Sequence, residues 1–316
     1  MARILITGGD GFIGRHLTAS YLASGHEVVV LARPDAMRPT VEERSAVLTV
    51  LRLDLNDRDA LNAVFHDRPV DLVFHLAATT RRLPQVDMGD WVASIDGDLR
   101  PLVNVAAAAA SSERPPSGFV RAGSIAEYGS RNGSFSEEDT AAPNAAYGSA
   151  LLAGTFYLQA MASNLPFPAA TARLALTYGP GQSTAFLAAR LMEDLPAGRT
   201  VTIQCPDDRR DLIHVDDVVA GLRKIAGRPG LINLSTGIAP TMRDLAETVL
   251  DLTGADPGLV RYGTPAGSPS ILIANNQRLR DRLGWQPALT LREGISRTLA
   301  VERRKPRLAV IGGGHV

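Results

Sequence analysis

The chain has 316 residues, of which 45% are hydrophobic, so it can bury a large core without disulfides or metals. Lysine plus arginine and aspartate plus glutamate are equal at 33 each, which excludes the net positive field used to bind nucleic acid or an anionic membrane. Cys205 is the only cysteine and the six histidines lack metal-ligand spacing, so we expect neither a disulfide framework nor a metal site.

The first residues enter a strand directly, without the charged and apolar regions of a signal peptide, and no run of about 18 apolar residues follows. These features predict a cytoplasmic protein with no membrane span. With neither nucleic acid nor membrane favoured, a small molecule is the expected partner.

The first half of the chain alternates short branched-aliphatic runs with segments of helical periodicity, which is typical of buried parallel strands and crossover helices. The predicted strands cover residues 3–7, 27–31, 47–53, 71–76 and 118–124. We therefore predict the α/β class, with a doubly wound parallel Rossmann sheet in residues 1–177 and residues 208–236 returning to it.

The glycine-rich segment from Thr7 to Gly14 directly follows the first predicted strand and opens a helix. Glycines there permit a tight turn and close approach of the backbone to a pyrophosphate, while the helix amino terminus offers N–H groups. The alternative is an ordinary glycine turn. The residues expected to contact a nicotinamide dinucleotide are Gly8, Gly11, Phe12, Ile13 and Gly14.

The end of the second predicted strand carries Arg33, with Arg38 nearby, where an acidic residue would suit a free ribose hydroxyl. Because a guanidinium suits a 2′-phosphate, NADP(H) is predicted in preference to NAD(H). The alternative is that Arg33 is a solvated turn residue.

A helix is predicted to start near Leu99 and to include the five alanines 106–110. Together with residues 147–161, its small side chains suggest a helix bundle that joins two copies into a homodimer.

The second half contains strand candidates at 171–176 and 231–234, with a helix at 186–195 between them. Amphipathic helices are predicted at 241–253 and 276–300. Residues 178–207 and 237–303 are thus predicted to form a smaller α+β substrate lobe over the carboxyl edge of the sheet. Residues 304–316 are interpreted as a tail, either the truncated start of a further module or an edge strand or disordered end.

Several motifs occur in a defined order after the glycine loop. They are Asp54-Leu55, His75-Leu76-Ala77-Ala78, the segment 123–129, Tyr147-Gly148-Ser149-Ala150-Leu151, Tyr178-Gly179-Pro180-Gly181 and Arg210-Asp211. This set resembles the extended short-chain dehydrogenase/reductase family, the nucleotide-sugar epimerases, dehydratases and 4-ketoreductases. The resemblance implies that Asp54 and Leu55 contact adenine and that Ala77 lets the backbone lie against the cofactor.

The same resemblance implies that Ser124 hydrogen-bonds the reacting oxygen and that Tyr147 exchanges its proton there. The family's lysine, four residues after this tyrosine, is Leu151 here. A phenol without that cation is a poor base near pH 7, so we expect reduction, in which the tyrosine gives a proton, to suffer less than oxidation. Glu127 comes one residue too late to match the carboxylate of the family's dehydratases.

Two arginines are predicted to bind an anionic substrate. Arg210 occupies the family's nucleotide-contacting position, and Arg81 follows the fourth strand near the expected nicotinamide end. The alternatives are that Arg81 is a solvated loop charge and that Arg210 pairs with Asp211 or Asp216.

The sequence therefore favours an NADP(H)-dependent oxidoreductase that reduces a keto group of a nucleotide-activated deoxysugar, with Tyr147 as proton donor. One alternative is an epimerase, or a lyase or cyclase, that retains its cofactor. A second alternative is a degenerate protein that binds NADP(H) as a sensor or scaffold, with Leu151 as the mark of lost chemistry.

Overall fold

The computed structural model of the protein describes residues 1–34, 47–79, 88–265 and 267–304. Its strands are β1 (Arg3–Thr7), β2 (Glu27–Ala32), β3 (Leu48–Arg52), β4 (Leu72–His75), β5 (Phe119–Ser124), β6 (Gly133–Phe135), β7 (Ala169–Leu174), β8 (Leu176–Tyr178), β9 (Val201–Ile203), β10 (Arg209–Arg210), β11 (Leu212–His214), β12 (Gly230–Leu234), β13 (Val260–Tyr262) and β14 (Ile271–Ala274). Its α-helices are α1 (Phe12–Ala23), α2 (Arg58–Asp67), α3 (Met88–Ser94), α4 (Arg100–Ala110), α5 (Ala146–Met161), α6 (Leu187–Asp194), α7 (Val215–Ile225), α8 (Met242–Thr253), α9 (Gln277–Leu283) and α10 (Leu291–Arg304).

Seven of these strands form the main sheet, in the order β12-β7-β5-β4-β1-β2-β3, and all of its pairings are parallel. This confirms the predicted doubly wound α/β fold. The chain runs outward from β1 in one direction through β2 and β3, and then in the other direction from β4. The strand order thus reverses between β1 and β4, and ligands of such sheets bind outside the carboxyl ends at that point.

Helices cover both faces of the main sheet. On one face, Leu17 of α1 and Val218 of α7 belong to the same buried cluster as Ile4 and Ile6. On the other face, helices α2, α4 and α5 pack with the opposite sides of the strands. Because both faces are covered, the strands are continuous apolar runs, which is why they could be located from the sequence.

A third apolar cluster is built from α6, α8 and α10 with β9 and β13. The remaining strands pair in small parallel sheets, β10-β14-β6, β11-β8 and β13-β9. Strand β6, from the first half of the chain, therefore lies beside β14 from the second half. The division into a cofactor domain and a substrate lobe remains a prediction, and residues 305–316 of the expected tail lie outside the described residues.

Two secondary-structure predictions for the second half are wrong in detail. The helix expected at 276–300 is two helices, because Gly284 ends α9 with a φ of 57° and Pro287 follows it. The strand expected at 171–176 is likewise divided into β7 and β8, the second of which pairs with β11 in a different sheet. Within the described ranges, no helix is both long and apolar enough to cross a membrane, and no metal-ligating cluster occurs.

Candidate active site

The glycine-rich loop connects the end of β1 to the start of α1 and has almost no spare space. Gly8 has a φ of 65°, and a Cβ atom there would lie 2.9 Å from the backbone nitrogen of Ala77. A Cβ atom on Gly14 would lie 2.1 Å from the carbonyl oxygen of Gly8. The loop therefore lies directly on the first turn of α1 and against the end of β4, which only glycine permits.

The amino terminus of α1 is available to an anion. Gly11 is the N-cap residue and has no side chain to occupy the first N–H groups of the helix, and no acidic residue lies in the first turn. The ring of Phe12 lies edge-on to His16, 5.8 Å between ring centroids. Ile13 packs into the core under the helix. The residues present thus fit a pyrophosphate group.

The other predicted cofactor contacts lie around this loop. Arg33 is exposed and directly follows β2, Asp54 is exposed and follows β3, and Ala77 follows β4. Leu55 packs beside the second apolar cluster, and its carbonyl accepts a hydrogen bond from Asn104. Since β4, β1, β2 and β3 are adjacent in the sheet, these positions are gathered at one edge. Arg38 and Arg81 lie outside the described residues.

We expect Gly14→Ala to weaken nicotinamide dinucleotide binding by about 10- to 100-fold, because overpacking against backbone atoms costs about 1–3 kcal/mol and displaces the loop. Titration of NADPH fluorescence would measure this change. Gly267→Ala is the matched control, since no atom lies within 4 Å of its added Cβ. Equal affinity of wild type and Gly14→Ala would contradict the assignment of the loop.

Ser124 and Tyr147, the two predicted catalytic residues, are brought together by the fold. Ser124 ends β5, and its hydroxyl accepts the N–H of Ala126 at 3.1 Å as the cap of the following 3-10 turn. Tyr147 lies in the first turn of α5, and its phenol is hydrogen-bonded to the side chain of Ser124. This bond lowers the pKa of the phenol, as expected when the serine donates to the phenol oxygen.

The surroundings nevertheless keep Tyr147 neutral. Burial raises the pKa of its phenol well above the ordinary value of 10.0, and the nearby carboxylate of Asp98 raises it further, whereas the guanidinium of Arg121 lowers it. Asp98 is buried in the π-helical segment Ile95–Leu99, where its carboxylate accepts the backbone N–H of Thr79 at 2.7 Å. The phenol of Tyr147 therefore keeps its proton at neutral pH, and in that form it can give a proton but cannot take one.

Leu151, at the position where a lysine was expected, is buried with 3% exposure on α5. Its backbone carbonyl accepts a hydrogen bond of 2.7 Å from Arg121. The chain has lysines only at 224 and 305. Lys224 lies on α7, on the other face of the main sheet from α5, and Lys305 lies outside the described residues.

Glu127 is fully buried and has no exposed oxygen to offer to a substrate. Its carboxylate accepts hydrogen bonds from the Ser124 backbone N–H, the Thr155 hydroxyl and the Arg173 guanidinium, at 3.2, 2.8 and 2.8 Å. This agrees with the expectation that it does not act as the carboxylate of a dehydratase.

Arg210 lies in β10, in the second half of the chain, and is partly exposed. Its guanidinium pairs with Asp208 at 2.9 Å and donates to the carbonyl of Ser270 at 2.8 Å. The alternative that it pairs with Asp211 or Asp216 is wrong. Asp211 accepts the backbone N–H groups of residues 236 and 237, and the partner of Asp216 is the arginine at 297.

Sequence reasoning missed Arg121 and Asp98, which act on Tyr147. Arg121 carried a usable signal, since it is a charge inside an otherwise apolar strand, and such a residue is buried only when it is paired. Asp98 carried no such signal in the sequence, because the orientation of its side chain depends on the π-helical turn around it.

Comparison with known proteins agrees with this site. Residues 4–234 match the model of the "NAD dependent epimerase/dehydratase family". The UDP-glucose 4-epimerase of Mycolicibacterium smegmatis is 30% identical, over 96% of this chain and 99% of that protein. The dTDP-6-deoxy-L-talose 4-dehydrogenase (NAD(P)(+)) of Kitasatospora kifunensis is also 30% identical, over 96% and 97% of the two chains.

Among solved structures, the UDP-glucose 4-epimerase of Thermus thermophilus in complex with NAD superposes with a TM-score of 0.83 at 26% identity, over 96% of this chain and 99% of the other. The match to the family model covers more than half of the chain. The glycine-rich loop of this chain fits NAD, the cofactor in the family's name. The protein is therefore an enzyme of the NAD dependent epimerase/dehydratase family, within the extended short-chain dehydrogenases/reductases.

Proposed function

We propose that the protein is an NADP(H)-dependent reductase of a keto group in a nucleotide-activated deoxysugar. The observation that carries the proposal is the hydrogen-bonded pair of Ser124 and Tyr147, in which the phenol is held neutral. The names of the two relatives at 30% identity, a UDP-glucose epimerase and a dTDP-deoxysugar 4-dehydrogenase, support the nucleotide-sugar class.

In this proposal, a nicotinamide dinucleotide bound at the glycine loop supplies the reducing equivalent. Tyr147 donates its phenol proton to the substrate oxygen as that oxygen gains negative charge. Ser124 would orient the phenol through their hydrogen bond, and the serine hydroxyl is itself held in place by the N–H of Ala126. Both side chains project from rigid elements, β5 and α5, so their mutual geometry is set before the substrate binds.

Arg210 would bind the anionic part of the substrate. Its pairing with Asp208 leaves the side chain partly exposed, so a phosphate can add to or replace this partner. Arg81 is proposed for the same role from its position in the sequence. With Cys205 as its only cysteine, the protein would suit a reducing compartment such as the cytoplasm.

The direct test combines the purified protein with NADPH and a panel of 4-keto-6-deoxy nucleotide sugars, and follows the loss of reduced-cofactor absorbance. Turnover is the expected result. UDP-glucose, added with NAD, serves as the comparison, because interconversion of sugars without net cofactor change would identify an epimerase instead. Tight NADPH binding with no conversion of any sugar would support the sensor and contradict the reductase.

The preference for NADP(H) depends on Arg33. Arg33→Ala is expected to raise the KM for NADPH about 10- to 100-fold and to leave that for NADH little changed, since a charge-assisted hydrogen bond contributes about 1.5–3 kcal/mol. Steady-state kinetics with both cofactors would measure this. Arg58→Ala, at an exposed arginine that starts α2, is the control. Equal effects on both cofactors would contradict the NADP(H) proposal.

We also propose that two copies associate through α3 and α5. Three of the alanines of α4, Ala106, Ala108 and Ala109, are buried in the chain's own core, so we place the contact surface mainly on other helices. The exposed large apolar side chains of α3, the π-helical segment and α5 lie instead on helices that pack against each other. They are Met88, Trp91, Val92, Ile95, Phe156, Tyr157 and Met161. Such a contiguous patch is typical of a subunit interface.

Phe156→Glu is expected to convert a dimer into a monomer, because it places a charge in this patch at a side chain that is 59% exposed in one copy. Light scattering coupled to size-exclusion chromatography would give the mass. Ala300→Glu, on the exposed side of α10, is the control. A wild-type protein that is monomeric at all concentrations would rule the interface out.

A further inference from the structure

Arg121 is a charged side chain inside the main sheet, with 1% exposure. Its Nη1 donates to the hydroxyl of Thr155 at 2.9 Å, and its Nη2 donates to the carbonyl of Leu151 at 2.7 Å. A Cβ atom on Gly154 would lie 3.0 Å from Nη2 and 3.1 Å from Cζ, so the guanidinium lies close against α5 at this glycine. The cation is therefore held on the helix turn that follows Tyr147.

The guanidinium of Arg121 makes no close ion pair with the carboxylate of Glu127. Glu127 makes its closer ion pair with Arg173, at 2.8 Å, whereas the nearest nitrogen of Arg121 is 3.8 Å away. The hydrogen bonds of Arg121 go to a hydroxyl and a carbonyl, both of which are neutral. A guanidinium remains protonated even when buried, so its field acts on whatever ionises nearby.

Tyr147 is the group that must ionise. Once its proton has been given to a substrate, the phenolate faces the carboxylates of Asp98 and Glu127, which oppose its charge, and the cation of Arg121, which favours it. The other charged side chains on the elements around α5 are Asp90 on α3, the surface pair of Asp96 with Arg100, and Arg173 beside Glu127. Of the three charged side chains with the largest effect on the phenol, Asp98, Arg121 and Glu127, Arg121 is the cation.

We propose that Arg121 is a positioning residue that stabilises the Tyr147 phenolate, in the role that a lysine at position 151 would fill. As the carbonyl carbon of the substrate receives a hydride from the reduced nicotinamide of the proposed function, the carbonyl oxygen takes the phenol proton. The guanidinium stabilises the resulting phenolate, and solvent then returns a proton to it. The kinetic consequence rests on the proposed function, whereas the effect on the phenol of Tyr147 can be measured without any substrate.

The test places a fluorinated tyrosine at position 147, because fluorine substitution lowers the pKa of the phenol into a range where the folded protein can be titrated. Fluorine NMR then reports its ionisation. Arg121→Gln is expected to raise this pKa by about 1–2 units, a 10- to 100-fold change in the acid dissociation constant, while Arg121→Lys keeps it close to that of the wild type.

Arg173→Gln is the matched control, since it removes another guanidinium from the same carboxylate of Glu127. The pKa of Tyr147 is expected to shift less in Arg173→Gln than in Arg121→Gln. An unchanged pKa in Arg121→Gln, or equal shifts in the two variants, would overturn the proposal. If Arg121→Gln does not fold, Arg121→Gln with Glu127→Gln preserves the net charge of the cluster. A smaller upward shift is then expected, because Glu127 raises the pKa of the phenol by less than Arg121 lowers it.

Rescue separates an electrostatic role from packing. Adding Leu151→Lys to Arg121→Gln moves the cation to α5, one turn after Tyr147. This second substitution is expected to bring the pKa of the Tyr147 phenol most of the way back to its wild-type value. It is also expected to restore reductase kcat, which Arg121→Gln alone lowers at least about 10-fold. A pKa shift without turnover of any keto sugar would reject the proposed function and keep the role of Arg121, whereas turnover without a shift would reject that role alone.

Discussion

Phenylalanine in place of Tyr147 is expected to lower kcat for keto-sugar reduction about 10²–10⁴-fold, the usual contribution of a positioned general acid. The phenol proton is the one the substrate oxygen would receive, and phenylalanine has no proton to give in its place. The KM for NADPH is expected to change little, since the glycine loop is untouched. Loss of NADPH absorbance, with circular dichroism to verify folding, measures both quantities.

Tyr157→Phe is the control for this substitution, because Tyr157 lies on the same helix but is 52% exposed. Ser124→Ala is expected to cause a smaller loss of about 10-fold or more, since it removes the hydrogen bond that orients the phenol but not the proton itself. A Tyr147→Phe enzyme with at least half the wild-type kcat would mean that another group supplies the proton, and the proposed chemistry would be wrong.

Acid is expected to destabilise the protein through His75. This residue is fully enclosed in β4, where it hydrogen-bonds Thr7 at 3.0 Å and stacks on Phe119. Burial, together with the charge of Arg121, lowers its pKa from 6.5 to about 3. Between these two pH values the unfolded chain binds a proton at this position and the folded chain does not. The free energy of unfolding therefore falls by about 1.4 kcal/mol per pH unit, in total about 5 kcal/mol, as the pH drops from 6.5 towards 3.

His75→Asn removes this proton-binding group while leaving an amide that can bond Thr7. The substitution costs stability at every pH because it leaves a cavity, so only the slope against pH is diagnostic. Urea unfolding of wild type and variant across this pH range should show the two stabilities converging as the pH falls. His66→Asn, at an exposed histidine, is the control. A constant difference between wild type and His75→Asn would contradict a neutral buried His75.

The sequence predicted the first half of the fold closely because its signals are local. Strands β1 to β5 were located within two residues of their ends, since each is an apolar run between polar loops and both sheet faces are covered. Helix α6 was similarly predicted from its periodicity. The break between α9 and α10 was missed, although Gly284 and Pro287 are the residues that normally end a helix.

In the candidate site, too, the sequence predicted the residues that stand in local motifs but not the contacts that depend on how strands pack. Ser124 and Tyr147 are recognisable because each stands in a short motif, and the fold joins them by a hydrogen bond. The partner of Arg210 was not found from the sequence, although Asp208 is only two residues away. Their pairing depends on how β10 lies beside β14, and several carboxylates nearby were equally plausible partners.

The amino-acid sequence alone determined that this chain folds as a doubly wound α/β protein with a dinucleotide loop, since glycine spacing and apolar periodicity are properties of neighbouring residues. It also showed that position 151 has no cation. The charge balance around Tyr147 was decided only by the tertiary structure. Arg121 lies 26 positions before Tyr147 in the sequence, and Asp98 lies 49 before it. Whether a phenol stays neutral depends on burial and on charges within a few ångströms, and folding brings those charges together from separate strands and helices.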